Sequence, residues 1–314
     1  MGKWTIDNIQ ELSNRNVIIT GANSGIGYEA AKVLAQKGAN VIMAVRNLEK
    51  GQVAKQQILQ LHRSANVIVL PLDLARLGSV EAFADTFHTM YQRLDLLINN
   101  AGVMAPPYRT TAEGFELQFG TNHLGHFALT GRLLPLLLRT AGSRVVTVSS
   151  AAHTGGSIDF ENLDGTGSKG YSRWRFYGQS KLANLLFAYE LERRLRSVDT
   201  TTISVACHPG FAATNLTSAG FGMDKAWFGK SASSIANLMA QSARMGALPT
   251  LYAATEPDLP GGVYIGPTGM NGMRGYPGAA RSSAKSHDEM VARELWSISE
   301  QMTGVTFDAI RVRV

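Results

Sequence analysis

From residue 16 onward, the apolar residues of this chain follow two alternating rhythms. Short runs rich in β-branched residues at 17–20, 41–45, 67–70, 94–98, 144–148, 202–206 and 263–265 predict strands. Between them, apolar positions recur at helical spacing over 25–37, 48–62, 79–93, 111–139, 175–196 and 242–255. Such alternation predicts an α/β fold: a doubly wound parallel sheet of about seven strands, with helices on both faces and right-handed crossovers. A sheet of this kind takes its ligand outside the carboxyl ends of the strands, where strand order reverses. Strand ends are therefore where chemistry is expected.

Composition narrows the classes without changing that picture. The 314 residues suffice for one large domain, and no linker-like, repeated or low-complexity segment divides them, so a single domain over 1–314 is expected. The densest apolar run, 133–138, is far short of the roughly 20 residues of a membrane span and contains Pro135. The first ten residues lack the apolar core of a signal peptide, and Ile6 stands where a myristoylation signal needs Ser or Thr. The single cysteine, Cys207, excludes an internal disulfide framework and favours a reducing compartment. A soluble cytoplasmic protein is the expectation. The net charge of +6 comes from 30 basic and 24 acidic residues scattered along the chain. They read as solvated faces, with a mild preference for anionic ligands such as phosphorylated cofactors. No basic face interleaved with aromatics points to nucleic acid, and no metal site is expected.

The first strand runs into Gly21-Ala22-Asn23-Ser24-Gly25-Ile26-Gly27 and then a helix. Glycines there let backbone N–H groups approach a pyrophosphate at the positive helix end, which makes the segment a candidate dinucleotide site of Rossmann type. The spacing Gly-x-x-x-Gly-x-Gly differs from the commoner fingerprint, and a plain tight turn is the competing reading. At the end of the second strand no acid occupies 44–47, and Arg46 stands where a 2′-phosphate would need a cation. NADP(H) is therefore expected, with NAD(H) as the alternative. Asp73, followed by Leu74, could accept from an adenine amino group or serve a turn. Asn99-Asn100-Ala101-Gly102 follows the fourth strand, where asparagines equally suit a backbone turn.

The pattern Tyr-x-x-x-Lys occurs twice, at Tyr28/Lys32 and Tyr177/Lys181. A phenol normally ionises near pH 10, and an ammonium on the same helix face would favour the phenolate and bring it towards use as an acid or base. Only the second copy follows a strand that ends in hydroxyls, Ser149-Ser150, one of which could hold a substrate oxygen. The chemistry is expected at the second copy.

Together, 20–27, 99–102, Ser150, Tyr177/Lys181 and Pro209-Gly210 stand in the order and approximate spacing of the short-chain dehydrogenase/reductase family, which the chain resembles over about 16–262. Ser180-Lys181-Leu182-Ala183-Asn184 and Val148-Ser149-Ser150-Ala151-Ala152-His153 are similar to its retinol-dehydrogenase-like branch. The resemblance implies that Tyr177 is the general acid/base and that Lys181 lowers its pKa while binding the nicotinamide ribose. It further implies that Ser150 orients the substrate oxygen, that Asn122 supports a water-linked proton path, and that Thr214 contacts the nicotinamide end. His123 and His126 are read as structural. Relatives often dimerise through two sheet-flanking helices, so a homodimer is an expectation. Two departures stand out. Ser150 and Tyr177 are 26 residues apart, well beyond the family's usual gap, so about 154–173 reads as an insertion shaping the substrate entrance. The apolar N-terminal segment of membrane-anchored retinol dehydrogenases is absent, which weakens the expectation of retinol itself. The stretch 211–243, rich in Gly, Ala, Met and aromatics, reads as a lid over an apolar pocket. The expected activity is NADP(H)-linked hydride transfer to or from an apolar alcohol, ketone or aldehyde. An enone reductase and a non-catalytic cofactor sensor are the alternatives.

Overall fold

The computed structural model describes residues 3–211 and 241–311. Eight strands form one sheet: β1 (Asn16–Thr20), β2 (Asn40–Val45), β3 (Val67–Pro71), β4 (Leu96–Asn99), β5 (Arg144–Val148), β6 (Ile203–Cys207), β7 (Tyr264–Gly269) and β8 (Arg274–Ala279). Their order is β3-β2-β1-β4-β5-β6-β7-β8, parallel throughout except that β8 runs antiparallel to β7. Every residue of β1 and β5 is buried, because helices cover both faces of the sheet and leave the central strands no solvated side. Strand order reverses between β1 and β4, whose carboxyl ends therefore flank the expected ligand crevice.

The main helices are α1 (Gly25–Gln36), α2 (Leu48–Leu61), α3 (Leu77–Met90), the single turn α4 (Leu117–Phe119), α5 (Gly125–Arg139), α6 (Arg173–Arg196), α7 (Ala243–Thr255) and α8 (Glu289–Thr303). On one face, Val17, Ile19, Val41 and Met43 pack against α1, α2 and α7 through Ala31, Leu34, Ile58 and Leu251. On the other, Ile18, Leu97 and Val145 meet α3, α5 and α6 through Phe87, Phe127, Leu133 and Leu191. An aromatic knot of Phe127, Phe187, Trp296 and Phe307, with ring centroids 4.6–6.5 Å apart, fastens α8 and the residues after it to that second face. None of the described helices is long and apolar enough to cross a membrane.

The structure differs from the sequence reading in three details. Among the described residues the sheet has eight strands, where about seven were expected. Arg274–Ala279 shows no strand signature because Gly275, Pro277 and Gly278 interrupt it, and these residues are tolerated only because β8 lies at the sheet edge. The helix expected from residue 111 starts at Leu117 instead. Thr110 and Glu116 form an antiparallel bridge, and the Glu116 carboxylate then caps the helix by accepting from Gln118 N and Phe119 N. Helix α8 was not expected at all, although its signals are present. The Asp288 side chain accepts from Met290 N and Val291 N at its start, and Gly304 closes it at φ 66°. Asp288→Ala is expected to cost about 1 kcal/mol, read from the denaturant midpoint.

Between α4 and α5 the chain stays helical but widens into a π-helical stretch, Gly120–Leu124. Phe119, Gly120, Leu124 and Gly125 all keep right-handed helical dihedrals, so the helix is continuous through the widening.

Candidate active site

The turn after β1 is built by contact rather than by sequence habit. Gly21 sits at φ +68°, and its N–H donates to Ala44 O at 2.8 Å. At Gly27, a Cβ would lie 2.6 Å from both Gly21 O and Asn100 Nδ2, so any side chain there would force the turn open. Asn100 Nδ2 donates to Thr20 O at 2.8 Å, while Thr20 Oγ1 accepts from Asn100 N and Ala101 N, both at 2.9 Å. The loops after β1 and β4 are thereby tied together where strand order reverses. Ser24 precedes α1 without using its hydroxyl as a cap, leaving that group and the first N–H groups of α1 facing an open cradle beside Asn23, Gly25 and half-buried Ile26. A Cβ at Gly21 would lie 3.0 Å from the Ala101 Cβ, so both glycines let the loops after β1 and β4 close together beside N–H groups of a kind that bind phosphate.

Arg46 is exposed just beyond β2 and makes no hydrogen bond or ion pair to another described residue. Asp73 is drawn into its own turn: Oδ1 accepts from Ala75 N at 3.1 Å, and Arg76 lies 3.9 Å from Oδ2. Of the two sequence readings, the turn has its partners in the structure. Leu74 is buried, with its carbonyl against Gly125. Asn99 is likewise buried, and its Nδ2 donates to Thr130 Oγ1.

On the other side of the crevice, β5 and α6 bring the chemical groups together. Ser149 turns inward and donates to Lys181 O at 2.7 Å. Ser150 remains half-buried at the mouth, where its Oγ accepts from Ala152 N and interacts with the Tyr177 phenol. Tyr177 is 6 % exposed and Lys181 4 %. Lys181 Nζ lies 5.8 Å from the centroid of the Tyr177 ring and donates to Val148 O at 3.3 Å. Burial lowers this ammonium to about 8, with the Cys207 sulfur behind it pulling slightly the other way. The phenol departs from the sequence expectation: burial raises its pKa, opposed only by Ser150. Desolvation outweighs the ammonium because the phenol has lost nearly all its water while Nζ is directed at Val148 O. Tyr177 is therefore a neutral phenol at neutral pH, with its proton in place.

Asn122 lies in the π-helical stretch, fully buried. Its Oδ1 accepts from Val103 N at 2.7 Å, and its Nδ2 donates to Val103 O and to Ser180 Oγ, each at 2.9 Å. Ser180 in turn donates to Tyr177 O. Gly102 lies against Asn122 Oδ1 and Lys181 Nζ, so the loop after β4 touches both halves of the site. Sequence reasoning assigned no role to Ser180 or to Asn184, whose Nδ2 donates to Val148 O at 3.1 Å and anchors the end of β5. Their spacing around Lys181, on one helix face, was the available signal. The other Tyr-x-x-x-Lys copy is accounted for: Lys32 pairs with Glu29, one turn away on α1.

Two further elements border the crevice. The insertion, 154–173, is fastened by Gln118, whose Nε2 donates to Tyr171 Oη and Arg173 O at 2.9 Å; Tyr171 Oη donates to Pro106 O. It delivers the half-exposed Trp174 edge-on to the Tyr177 ring, with centroids 6.1 Å apart. After β6, Pro209 O accepts from Gln241 Nε2, Gly210 takes φ +67°, and Gln241 N donates to Phe211 O. Thr214 and residues 212–240 of the expected lid lie outside the described residues.

The short chain dehydrogenase family model matches residues 15–222. Retinol dehydrogenase 11 of Homo sapiens is 40% identical over 299 residues, covering 95% of this chain and 88% of the relative. Retinol dehydrogenase 13 of Homo sapiens is 39% identical, covering 96% and 88%. The crystal structure of an uncharacterized protein from Mycobacterium Paratuberculosis superposes with a TM-score of 0.81 at 43% identity, covering 98% of this chain and 99% of that one.

Proposed function

This chain belongs to the short-chain dehydrogenase family, and on that premise we propose that it exchanges a hydride between NADP(H) and an apolar alcohol, ketone or aldehyde. The observation that carries the reading is the convergence of Ser150, Tyr177 and Lys181 at the carboxyl edge of β5. The coenzyme, when bound, supplies the hydride chemistry. Everything else falls to this chain's own side chains. Gly21, Gly25 and Gly27 with Asn23, Ser24 and Ile26 form the pyrophosphate cradle, and Asn100, Ala101, Gly102, Pro209 and Gly210 border its nicotinamide end. Ser150 Oγ, with one lone pair taken by Ala152 N–H, turns its proton towards a substrate oxygen and holds it beside the phenol. Tyr177 then gives its proton to that oxygen as the carbonyl carbon is reduced. Burial keeps the phenol protonated at neutral pH, the form that the reductive step needs. Lys181, held close to 8, is the next proton source behind it, and Asn122 holds Ser180 and Val103 so that the helix carrying both groups keeps its place.

An apolar substrate is supported by the exposed Trp174, edge-on to the Tyr177 ring, and by relatives named for retinol. A reducing, cytoplasmic setting is supported by the single buried Cys207. The preference for NADP(H) rests on Arg46, exposed and unengaged where an acid would favour NAD(H). Assay of apolar carbonyls and enones with both coenzymes tests the reading. NADPH with carbonyls should give the highest kcat/KM, and consumption of enones alone would overturn the substrate class. Arg46→Ala is expected to raise the KM for NADPH roughly 10- to 100-fold, the worth of a charge-assisted phosphate contact. It should leave NADH nearly untouched; equal weakening of both would remove the 2′-phosphate assignment.

A further inference from the structure

His126, on the first turn of α5, is 1 % exposed and lies between the two halves of the site. Its Nδ1 is 3.0 Å from Asn122 O, and its Nε2 is 2.9 Å from Thr20 Oγ1. A carbonyl oxygen can only accept, so Nδ1 must carry the proton. Burial lowers the ring pKa to about 4, with the charge of Lys181 acting in the same sense, so the imidazole is neutral and Nε2 is a bare acceptor. The Thr20 hydroxyl must therefore donate to Nε2. Both of its lone pairs are then free for Asn100 N–H and Ala101 N–H, the two donors that reach it. The only other acceptor for that proton, Ile98 O, is farther away at 3.4 Å. Each bond has one direction: from the N–H groups of the loop after β4 to Thr20, from Thr20 to His126, and from His126 to Asn122.

We propose that His126 is a positioning residue that holds the coenzyme-side loop, through Thr20, in register with Asn122 and hence with the helix bearing Tyr177 and Lys181. Its two partners, Thr20 and Asn122, belong to opposite sides of the crevice, so the ring bridges them. Neighbouring His123 shows the contrast: Nε2 meets Ser299 Oγ, while Nδ1 is buried without a partner. From Asn122 the connection continues through Nδ2 to Ser180 Oγ, and from Ser180 to Tyr177 O, so it links the two sides of the crevice. The inference rests on the functional reading above for the identity of what is being aligned.

The test combines spectroscopy of the wild type with three variants. Nitrogen-15 NMR of the full chain should show His126 as the Nδ1–H tautomer at pH 7, with no titration down to about pH 5. Thr20→Val removes the hydroxyl, and His126→Asn keeps a donor near the Nδ1 position while losing the Nε2 acceptor. Each should raise the NADPH dissociation constant roughly tenfold, and the double variant should be little worse than either single one. Thr20→Ser should restore wild-type affinity. A space-filling role would lower the melting temperature of these variants with no change in NADPH affinity. An Nε2–H ring, wild-type NADPH affinity in both Thr20→Val and His126→Asn, or fully additive effects would each overturn the proposal. A wild type that neither binds NADPH nor reduces any carbonyl would overturn the functional reading together with this one. Normal wild-type binding and turnover with indifferent variants would overturn this one alone.

Discussion

Tyr177→Phe is expected to lower turnover by about 10²–10⁴-fold, the usual contribution of a positioned proton donor, while NADPH still binds. The substitution removes one oxygen from a ring that is otherwise packed: Trp174 lies edge-on to it, and it is 6 % exposed. Folding should therefore be almost unaffected, which separates lost chemistry from lost structure. The pH dependence follows from the direction of the phenol's shift. Burial raises its pKa, so the group holds its proton throughout the neutral range, and carbonyl reduction should be flat there and decline only in strong alkali. Alcohol oxidation needs the phenolate and should climb with pH over the same range. Steady-state rates in both directions, with coenzyme affinity measured separately, check both points. A Tyr177→Phe enzyme as active as the wild type on every substrate consumed would end the acid/base assignment.

Lys181→Met is expected to abolish most activity and, at the same time, to raise the melting temperature. Among the described residues the buried ammonium meets no carboxylate, and it donates to Val148 O at 3.3 Å. Shifting it from 10.5 to about 8 corresponds to a penalty of about 3 kcal/mol at neutral pH. Met fills a similar volume without that cost, and Val148 O keeps its bond from Asn184. The folded state binds the Lys181 proton less tightly than the unfolded chain does. The penalty is therefore full below about pH 8, and wild-type stability should rise between about pH 8 and 10.5, where the folded protein has shed this proton and the unfolded chain still holds it. The variant should lose that rise. Denaturant midpoints for both proteins from pH 7 to 10.5 decide it: parallel curves would mean the lysine is not desolvated as the structure has it. The charge is retained at a thermodynamic cost, as expected of a group kept for its chemistry.

The alternation of β-branched runs with helical spacing was enough to reveal the layers and every parallel strand, because fully buried strands and amphipathic helices must carry those patterns. Strand β8 escaped because an edge strand tolerates Gly and Pro, and Glu116 displaced the helix start by accepting from Gln118 N and Phe119 N as a cap. In the site, Ser150, Tyr177 and Lys181 were legible from their positions beyond strand ends, and the structure brings them together. The sign of the Tyr177 shift was not. A local rule sees an ammonium four residues away, whereas the outcome depends on how much water the entire fold removes and on which carbonyl takes Nζ. His126 was read as structural, and the bond that it makes across the sheet escaped for a similar reason. Its partner Thr20 is 106 positions away, and nothing in the local sequence announces a bond across the sheet.

The widened turn at Gly120–Leu124 amounts to a phase shift. A π-helical turn holds one residue more than an α-helical turn, so it rotates everything after it by about 100° relative to an unbroken α-helix. Asn122 on the near side and His126, Thr130 and Gly131 on the far side owe their bearings to that extra residue. Gly131 in particular meets Val305 and Phe307 so closely that no side chain fits between. Removing a single residue from 120–124 would leave a helix of ordinary hydrogen bonding and nearly the same length. It would nonetheless swing His126 off Thr20 and a bulkier position into the Phe307 contact. A deletion in this segment should therefore misplace residues well beyond it, whereas a substitution there disturbs chiefly its own contacts, such as those of Asn122.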